Sequence, residues 1–165
     1  MKSLAVAFTG PSDSGKTTLI LKVANILKSE HALAIIKNDP SDKAIFDVEG
    51  KDSWKFSQTG AEVVITSPTR TTLFSKRHKS LDEIIDMVGA FDFLLVEGLK
   101  TLPLPRIAIF RNKLDVDYFD CSDAIAIDES ITLSDYDLPS HIAILDLNNP
   151  EQVVAWIEKN AKKVK

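Results

Sequence analysis

Gly10-Pro11-Ser12-Asp13-Ser14-Gly15-Lys16-Thr17-Thr18 has the spacing G-x-x-x-x-G-K-[ST] and follows directly on the apolar run Leu4–Phe8. Strand, glycine loop and helix in that order form a cradle for phosphate. Gly10 and Gly15 let the backbone turn so that its N–H groups point inward, and the positive end of the following helix adds to their field. Pro11, Ser12, Asp13 and Ser14 complete the loop between them. Lys16 offers a point charge to the β- and γ-phosphates, and the Thr17 hydroxyl can ligate Mg2+. The competing reading is a plain glycine turn closed by a lysine and a threonine.

A phosphate loop needs a second acid near the metal, at the carboxyl end of a neighbouring strand. Phe91-Asp92-Phe93-Leu94-Leu95-Val96-Glu97-Gly98 supplies one. Glu97 would hold Mg2+ through water, or orient the attacking water, and Gly98 would allow close backbone approach to the γ-phosphate or to a partner. The bland alternative for Glu97 is a surface glutamate at a strand end. Asp92 lies at the opposite end of the same run, away from the nucleotide. Asn112-Lys113-Leu114-Asp115 spells N-K-x-D after another apolar run, a string whose carboxylate can accept from the ring N–H and amine of guanine. The alternative there is a polar loop.

These residues must be positioned by a suitable scaffold. Apolar runs recur at Leu4–Phe8, Leu33–Ile36, Ala61–Ile65, Phe91–Val96, Ile107–Phe110, Ala124–Ile127 and Ile142–Leu145. Several are continuous, as strands covered on both faces are. Between the first two, Leu19, Ile20, Val23, Ile26 and Leu27 fall at helical spacing. Ser80-Leu81-Asp82-Glu83 is a capping box opening a helix through Val88, and Asn149-Pro150-Glu151-Gln152 opens another. Gly60 suits the stop of a short helix over 53–59. The alternation predicts an α/β fold: a three-layer, mostly parallel central sheet with helices on both faces, as in P-loop nucleotide-binding proteins.

The chain has 165 residues, 44% of them apolar, and 24 acidic against 20 basic side chains give a net charge of −4. That length predicts one domain, residues 1–165, able to bury a core without disulfides or structural metal. The charge argues against nucleic acid as a partner, because affinity for a polyanion comes from clustered Lys and Arg. Cys121 has no second cysteine to pair with and reads as a small buried hydrophobe. Neither a signal peptide nor a run of about 20 apolar residues is present, so no membrane is expected and the expected compartment is the cytoplasm. The terminal Lys159, Lys162, Lys163 and Lys165 read as favourable charge at a helix C-terminus.

Further stretches narrow the reading. Gly50-Lys51-Asp52-Ser53 precedes the short helix that ends Thr59-Gly60-Ala61, and Val96-Glu97-Gly98-Leu99-Lys100 precedes Leu104-Pro105-Arg106-Ile107. Together with the phosphate loop, these segments resemble the molybdopterin-guanine dinucleotide biosynthesis adapter (MobB) family, from the first strand to about Arg111. The resemblance implies GTP and Mg2+ as ligands, with at most slow Mg2+-dependent hydrolysis, in support of the molybdopterin guanylyltransferase that attaches GMP to molybdopterin. That transferase is the implied partner, molybdopterin a second candidate ligand, and a homodimer the implied assembly. By matching position, Gly10, Gly15, Lys16, Thr17 and Thr18 would bind phosphate and Mg2+, with Glu97 the second metal-side acid. Lys51, Asp52 and Ser53 would form a polar segment beside the nucleotide. Their bland reading is a helix start in which Asp52 or Ser53 is the cap. Similarity to metal-cofactor maturation GTPases makes Asp128 a rival to Asp115 for the base.

The chain departs from the family pattern at Lys37-Asn38-Asp39-Pro40-Ser41-Asp42, which keeps the lysine but lacks the histidines that usually follow. Asp39 and Asp42 are turn residues around Pro40 or hard-cation ligands. Lys76-Arg77-His78-Lys79 reads as a solvated loop or as an anion site. A small-molecule kinase is the alternative function. Such enzymes close arginine-rich lids over phosphates, and this chain has only Arg70, Arg77, Arg106 and Arg111. A partitioning ATPase would carry an extra lysine where Pro11 and Ser12 stand.

Overall fold

The computed structural model describes residues 2–165. In chain order the elements are β1 (Leu4–Thr9), α1 (Lys16–Leu27), β2 (Leu33–Lys37), α2 (Asp52–Ser57), β3 (Val63–Thr66), β4 (Thr71–Phe74) and α3 (Leu81–Val88). There follow β5 (Phe93–Glu97), β6 (Arg106–Ile109), β7 (Ala124–Ile127), β8 (Ala143–Asp146), α4 (Pro150–Asn160) and β9 (Lys162–Lys163). Two compact units result, one made of the residues up to Asn38 with Ala90–Lys165, the other of Asp39–Gly89.

The first unit is built on a sheet of order β2-β5-β1-β6-β7-β8, parallel at every step along that path. One face carries Val6, Phe8, Phe93, Leu95, Ile107 and Ile109, clustered with Leu19, Ile20, Val23 and Leu27 of α1 and Val153, Val154 and Ile157 of α4. On the other face Ala108, Phe110, Ile125 and Ile127 cluster with Leu114, Phe119, Ile131 and Ile142 around two 3-10 helices, Val116–Cys121 and Leu133–Asp135. Each large side chain buried this way contributes about 1.5–3 kcal/mol, which accounts for the continuous apolar strands. The expected mostly parallel α/β sheet is therefore observed. The chain leaves β1 for β2 on one side and crosses from β5 to β6 on the other, so the strand order reverses around β1. Crevices outside the carboxyl ends of strands at such a reversal are where ligands bind in open α/β sheets.

Two differences from the sequence expectation concern edges. Lys162 and Lys163 are not just charges at a helix end: they pair antiparallel with Ala5 and Leu4. Strand β6 begins its pairing only at Ala7, and β9 fills the half of that edge that β6 leaves open. The run Ala61–Ile65 forms a strand, but outside the parallel sheet.

That strand belongs to the second unit, where β3 and β4 form an antiparallel hairpin with Val63 opposite Phe74 and Thr66 opposite Thr71. Its turn is closed by the Ser67 N–H donating to the Arg70 carbonyl at 2.9 Å. Helix α3 starts with the expected capping box: Ser80 Oγ accepts from the Glu83 N–H, and Glu83 Oε2 accepts from the Ser80 N–H at 2.8 Å. Helix α2 starts differently from expectation. Its cap position is Lys51, with no side-chain cap bond, and the Ser53 hydroxyl donates to Asp47 Oδ1 at 2.8 Å. No helix among the described residues is long and apolar enough to cross a membrane.

Candidate functional site

The loop after β1 is shaped by constraints that only glycine meets. Gly10 sits at φ +139°, and a Cβ on it would stand 2.4 Å from the Ile109 carbonyl oxygen. Gly15, at φ +95°, occupies the cap position of α1. That helix has no side-chain cap and no acid in its first turn, so its first amides and positive dipole end are left for an external anion. Ser14 Oγ is buried without a hydrogen-bond partner. Buried hydroxyls are normally satisfied, and a phosphate oxygen is the type of acceptor the loop would bring to it. Lys16 Nζ donates to the Gly10 carbonyl at 2.9 Å and to the Pro11 carbonyl, holding its charge over the loop. Burial lowers the Lys16 pKa, and the Glu97 carboxylate opposes that shift. Thr17 and Thr18 are exposed at the start of α1, while Ser12 and Asp13 form its outer rim.

Glu97 ends β5, in register with Phe8 on one side and Lys37 on the other. Its Oε2 lies 2.7 Å from Lys37 Nζ, and the two side chains are 15% and 67% exposed respectively. Gly98 uses its N–H in the ladder, donating to the Phe8 carbonyl at 2.9 Å. The close approach it allows is to Asn38, whose Cβ would lie 3.0 Å from a Cβ placed on Gly98.

Two arginines that carried no site role in the sequence organise the surroundings. Arg106 is only 1% exposed. Its guanidinium donates to the carbonyls of Gly98, Leu99, Lys100 and Leu102 at 2.8–3.2 Å, and its backbone N–H donates to Asp123 Oδ2. It thus fixes the loop leaving Glu97. Arg111 lies against Gly15, with its guanidinium carbon 3.5 Å from a Cβ placed there, and its Nε is 3.2 Å from Asp128 Oδ2. The Ser130 hydroxyl also donates to Asp128, and its bonds hold that carboxyl below the usual carboxylate range. A signal was available in each case: an arginine opening a fully apolar strand, and another closing the same run.

The N-K-x-D string is a turn in which Asn112 takes φ +67° and Leu114 is buried. Asp115 Oδ1 accepts from the Asp117 N–H and caps the following 3-10 helix. Asp128, by contrast, borders a cavity of about 430 Å3 at the carboxyl ends of β7 and β8, with Glu129, Asp146, Asn148 and Gln152. Lys51 and Asp52 belong to the second unit, where Asp52 lies 3.7 Å from Lys55. In that unit Lys76, Arg77 and His78 border a cavity of about 740 Å3 with Asp47 and Trp54, and Arg77 pairs with Glu62 at 2.8 Å. Asp39 Oδ2 accepts from the Lys43 and Ala44 N–H groups, as a turn residue does. No group of three or more metal-ligating side chains is present among the described residues.

Residues 5–128 match the model of the family described as molybdopterin guanine dinucleotide synthesis protein B. The chain belongs to this family. It is 30% identical over 161 residues to the molybdopterin-guanine dinucleotide biosynthesis adapter protein of Haemophilus influenzae, covering 93% of this chain and 86% of that protein. The adapter protein of Escherichia coli is 28% identical over 93% of each chain. The fold agrees with the crystal structure of Bacillus subtilis MobB at a TM-score of 0.75, with 20% identity over 98% of this chain and 99% of that one. The family match runs through Asp128, beyond the point near Arg111 where the sequence motifs give out.

Proposed function

We propose that the chain binds GTP with Mg2+ on the Gly10–Thr18 loop and acts as an adapter in molybdopterin guanine dinucleotide synthesis, with at most slow GTP hydrolysis of its own. The observation that carries this reading is the glycine loop opening on an uncapped helix start, with Lys16 folded over it and Glu97 ending the strand beside β1, in a chain of this family. Gly10, Pro11, Ser12, Asp13, Ser14 and Gly15 wrap the phosphates, Lys16 faces the β- and γ-groups, and Thr17 and Glu97 hold the metal, with Thr18 beside them. Mg2+, when bound, would supply neutralisation of the phosphate charge. In hydrolysis Glu97 orients a water molecule for attack on the γ-phosphorus, the bridging oxygen leaves with GDP, and Lys16 with the loop amides stabilises the equatorial oxygens. The family resemblance alone adds Lys51 and Asp52 to the nucleotide site. Base readout falls to Asp115 by its N-K-x-D string or to Asp128 by position. The link from Asp128 through Arg111 to Gly15, and the cavity beside it, favour Asp128.

The kinase reading is weakened by how the arginines are used. Arg106 is spent on backbone carbonyls, Arg111 on Asp128 and Arg77 on Glu62, which leaves no cluster to close over phosphates. The partner in this reading is the molybdopterin guanylyltransferase, with molybdopterin as a further ligand, in the cytoplasm. A homodimer would cover some of the exposed apolar side chains Ile45, Phe46, Val48 and Val64. The deciding experiment is calorimetry with GTP and ATP on the wild type and Lys16→Ala, joined to a pull-down from cell extract under each nucleotide. Loss of binding in the variant, with recovery of the guanylyltransferase, bears the reading out. Tight GTP binding by Lys16→Ala, or phosphoryl transfer to a metabolite, overturns it.

A further inference from the structure

We propose that Arg111 is a stacking platform for the base of the bound nucleotide: its guanidinium lies flat on the last glycine of the phosphate loop and offers its outer face to a purine. The inference rests on the reading of the Gly10–Thr18 loop as a nucleotide site.

An arginine at the end of an apolar strand can neutralise an acid, reach for a phosphate or present a flat cation. The geometry of Arg111 separates these uses. From the point where a Cβ on Gly15 would stand, Cζ, Nε and Nη2 of Arg111 lie at 3.5, 3.6 and 3.7 Å. Distances so alike mean that the guanidinium turns its face, not its edge, to the loop. Its N–H donors lie in the plane, so a group reaching for phosphate would turn that edge inward. The edge goes sideways instead, with Nε 3.2 Å from Asp128 Oδ2. No other group among the described residues hydrogen-bonds or pairs with the guanidinium. One face is covered by Gly15, yet the side chain is 43% exposed, so the opposite face is open.

The plane is also held in place. Asp128 Oδ1 accepts from the N–H and the hydroxyl of Ser130, and Ser130 Oγ in turn accepts from the Asn112 N–H at 2.7 Å. Arg111 and Asn112, consecutive in the chain, are thus tied to the same two residues after β7, one by its side chain and the other by its backbone. An exposed arginine ordinarily gives up much rotamer freedom when it binds. This one has lost most of it beforehand, which favours association.

Position supplies the ligand class. On one side of the guanidinium is the loop that takes the phosphates, and on the other Asp128 borders the cavity of about 430 Å3 at the carboxyl ends of β7 and β8. A nucleotide anchored on the loop and extending towards that cavity lays its nucleoside across Arg111. A guanidinium is planar, weakly hydrated and suited to stacking on aromatic faces, where an ammonium is not. Cation–π attraction acts on either purine, so Arg111 strengthens binding without choosing between guanine and adenine and leaves that choice to the acid beside it.

The test compares the affinities of GTP, GDP, ATP and tripolyphosphate, each in Mg2+, for the wild type, Arg111→Met, Arg111→Lys and Lys16→Ala. Arg111→Met is expected to weaken the three nucleotides by a similar factor, about three- to tenfold, and to leave tripolyphosphate, which has no base, within about twofold. Arg111→Lys keeps the charge and loses the plane, so it should recover little. Tripolyphosphate weakened as much as GTP would make Arg111 a brace of the loop, and full recovery in Arg111→Lys would make it a charge for phosphate; either overturns the inference. A Lys16→Ala protein that still binds the nucleotides tightly overturns the site reading beneath it. Side-chain NMR gives a readout on the unaltered protein, in which Arg70, Arg77, Arg106 and Arg111 are the only arginines. GTP should move the Arg111 Nε–H proton upfield by the ring current of a stacked base, and a downfield movement or none overturns the inference independently of any variant. Thermal unfolding of each variant verifies that the fold is kept.

Discussion

The first residue of the phosphate loop is set by a strand far along the chain: the carbonyl oxygen of Ile109 leaves no room for a side chain on Gly10. Strand β6 therefore moulds the loop as much as the loop's own sequence does. Gly10→Ala combines a forbidden contact with a left-handed backbone, and should cost more than about 2 kcal/mol of stability as well as nucleotide binding. Urea denaturation and calorimetry measure the two. A variant as stable as the parent would mean that β6 yields to the methyl group.

Arg106 is the donor for four carbonyls in one loop. Arg106→Leu keeps the burial but leaves those oxygens without a donor, with an expected cost of about 3 kcal/mol or more. Arg106→Lys should recover part of it. Hydrogen exchange should locate the loss in residues 98–102, and uniform exchange across the first unit would argue against a local anchor.

The Asp92 carboxylate ties two segments together by accepting from the Ala32 and Lys2 N–H groups at 3.1 and 2.9 Å. Those bonds, the one from Ala32 foremost, hold its pKa below the usual carboxylate range. A depressed folded-state pKa gives stability that is fully present above the unfolded-state value and is lost as pH falls through the folded one. The stability difference between the wild type and Asp92→Asn should thus be constant near neutrality and shrink below about pH 4. Chemical denaturation across pH 3–7, to roughly this precision, checks the trend. A difference that grows on acidification would reverse the assignment.

Base preference separates two acids that the sequence leaves as rivals. Asp128→Asn is expected to reduce the preference for GTP over ATP about tenfold or more, whereas Asp115→Ala should alter the adjoining 3-10 turn and leave preference unchanged. Measured affinities for both nucleotides in both variants decide the matter. A fall confined to Asp115→Ala would return base readout to the N-K-x-D string.

The parts of this molecule that were legible in its sequence are those in which local pattern and final environment coincide. β1 and β5 are buried on both faces and read as unbroken apolar runs, and the glycine spacing of the phosphate loop is dictated by its own backbone. Ser80 and Glu83 form their capping box within one turn, so nothing distant can alter it. The elements that escaped were those defined by a partner. Thr71-Thr72-Leu73-Phe74 carries no apolar run in the sequence and is a strand because β3 lies beside it. Lys162 and Lys163 form β9 through their backbone pairing with β1, and the Lys162 ammonium donates to the Pro103 carbonyl. Arg106 and Arg111 are polar letters in the sequence whose roles depend on carbonyls and a carboxylate brought near by folding.

Strand β1 draws its neighbours from distant parts of the chain: Phe93 and its successors on one edge, Arg106 to Ala108 and then Lys162 and Lys163 on the other. A strand with such remote partners gains its contacts only after long loops have closed, which slows folding. The Gly10–Thr18 segment is thus written early and shaped late, since neither Glu97 nor the Ile109 carbonyl can reach it until most of the first unit has assembled. Under the proposed function, competence to grip a triphosphate would then report that the first unit is complete, and a partner that docks only on the loaded form would pass over unfinished chains.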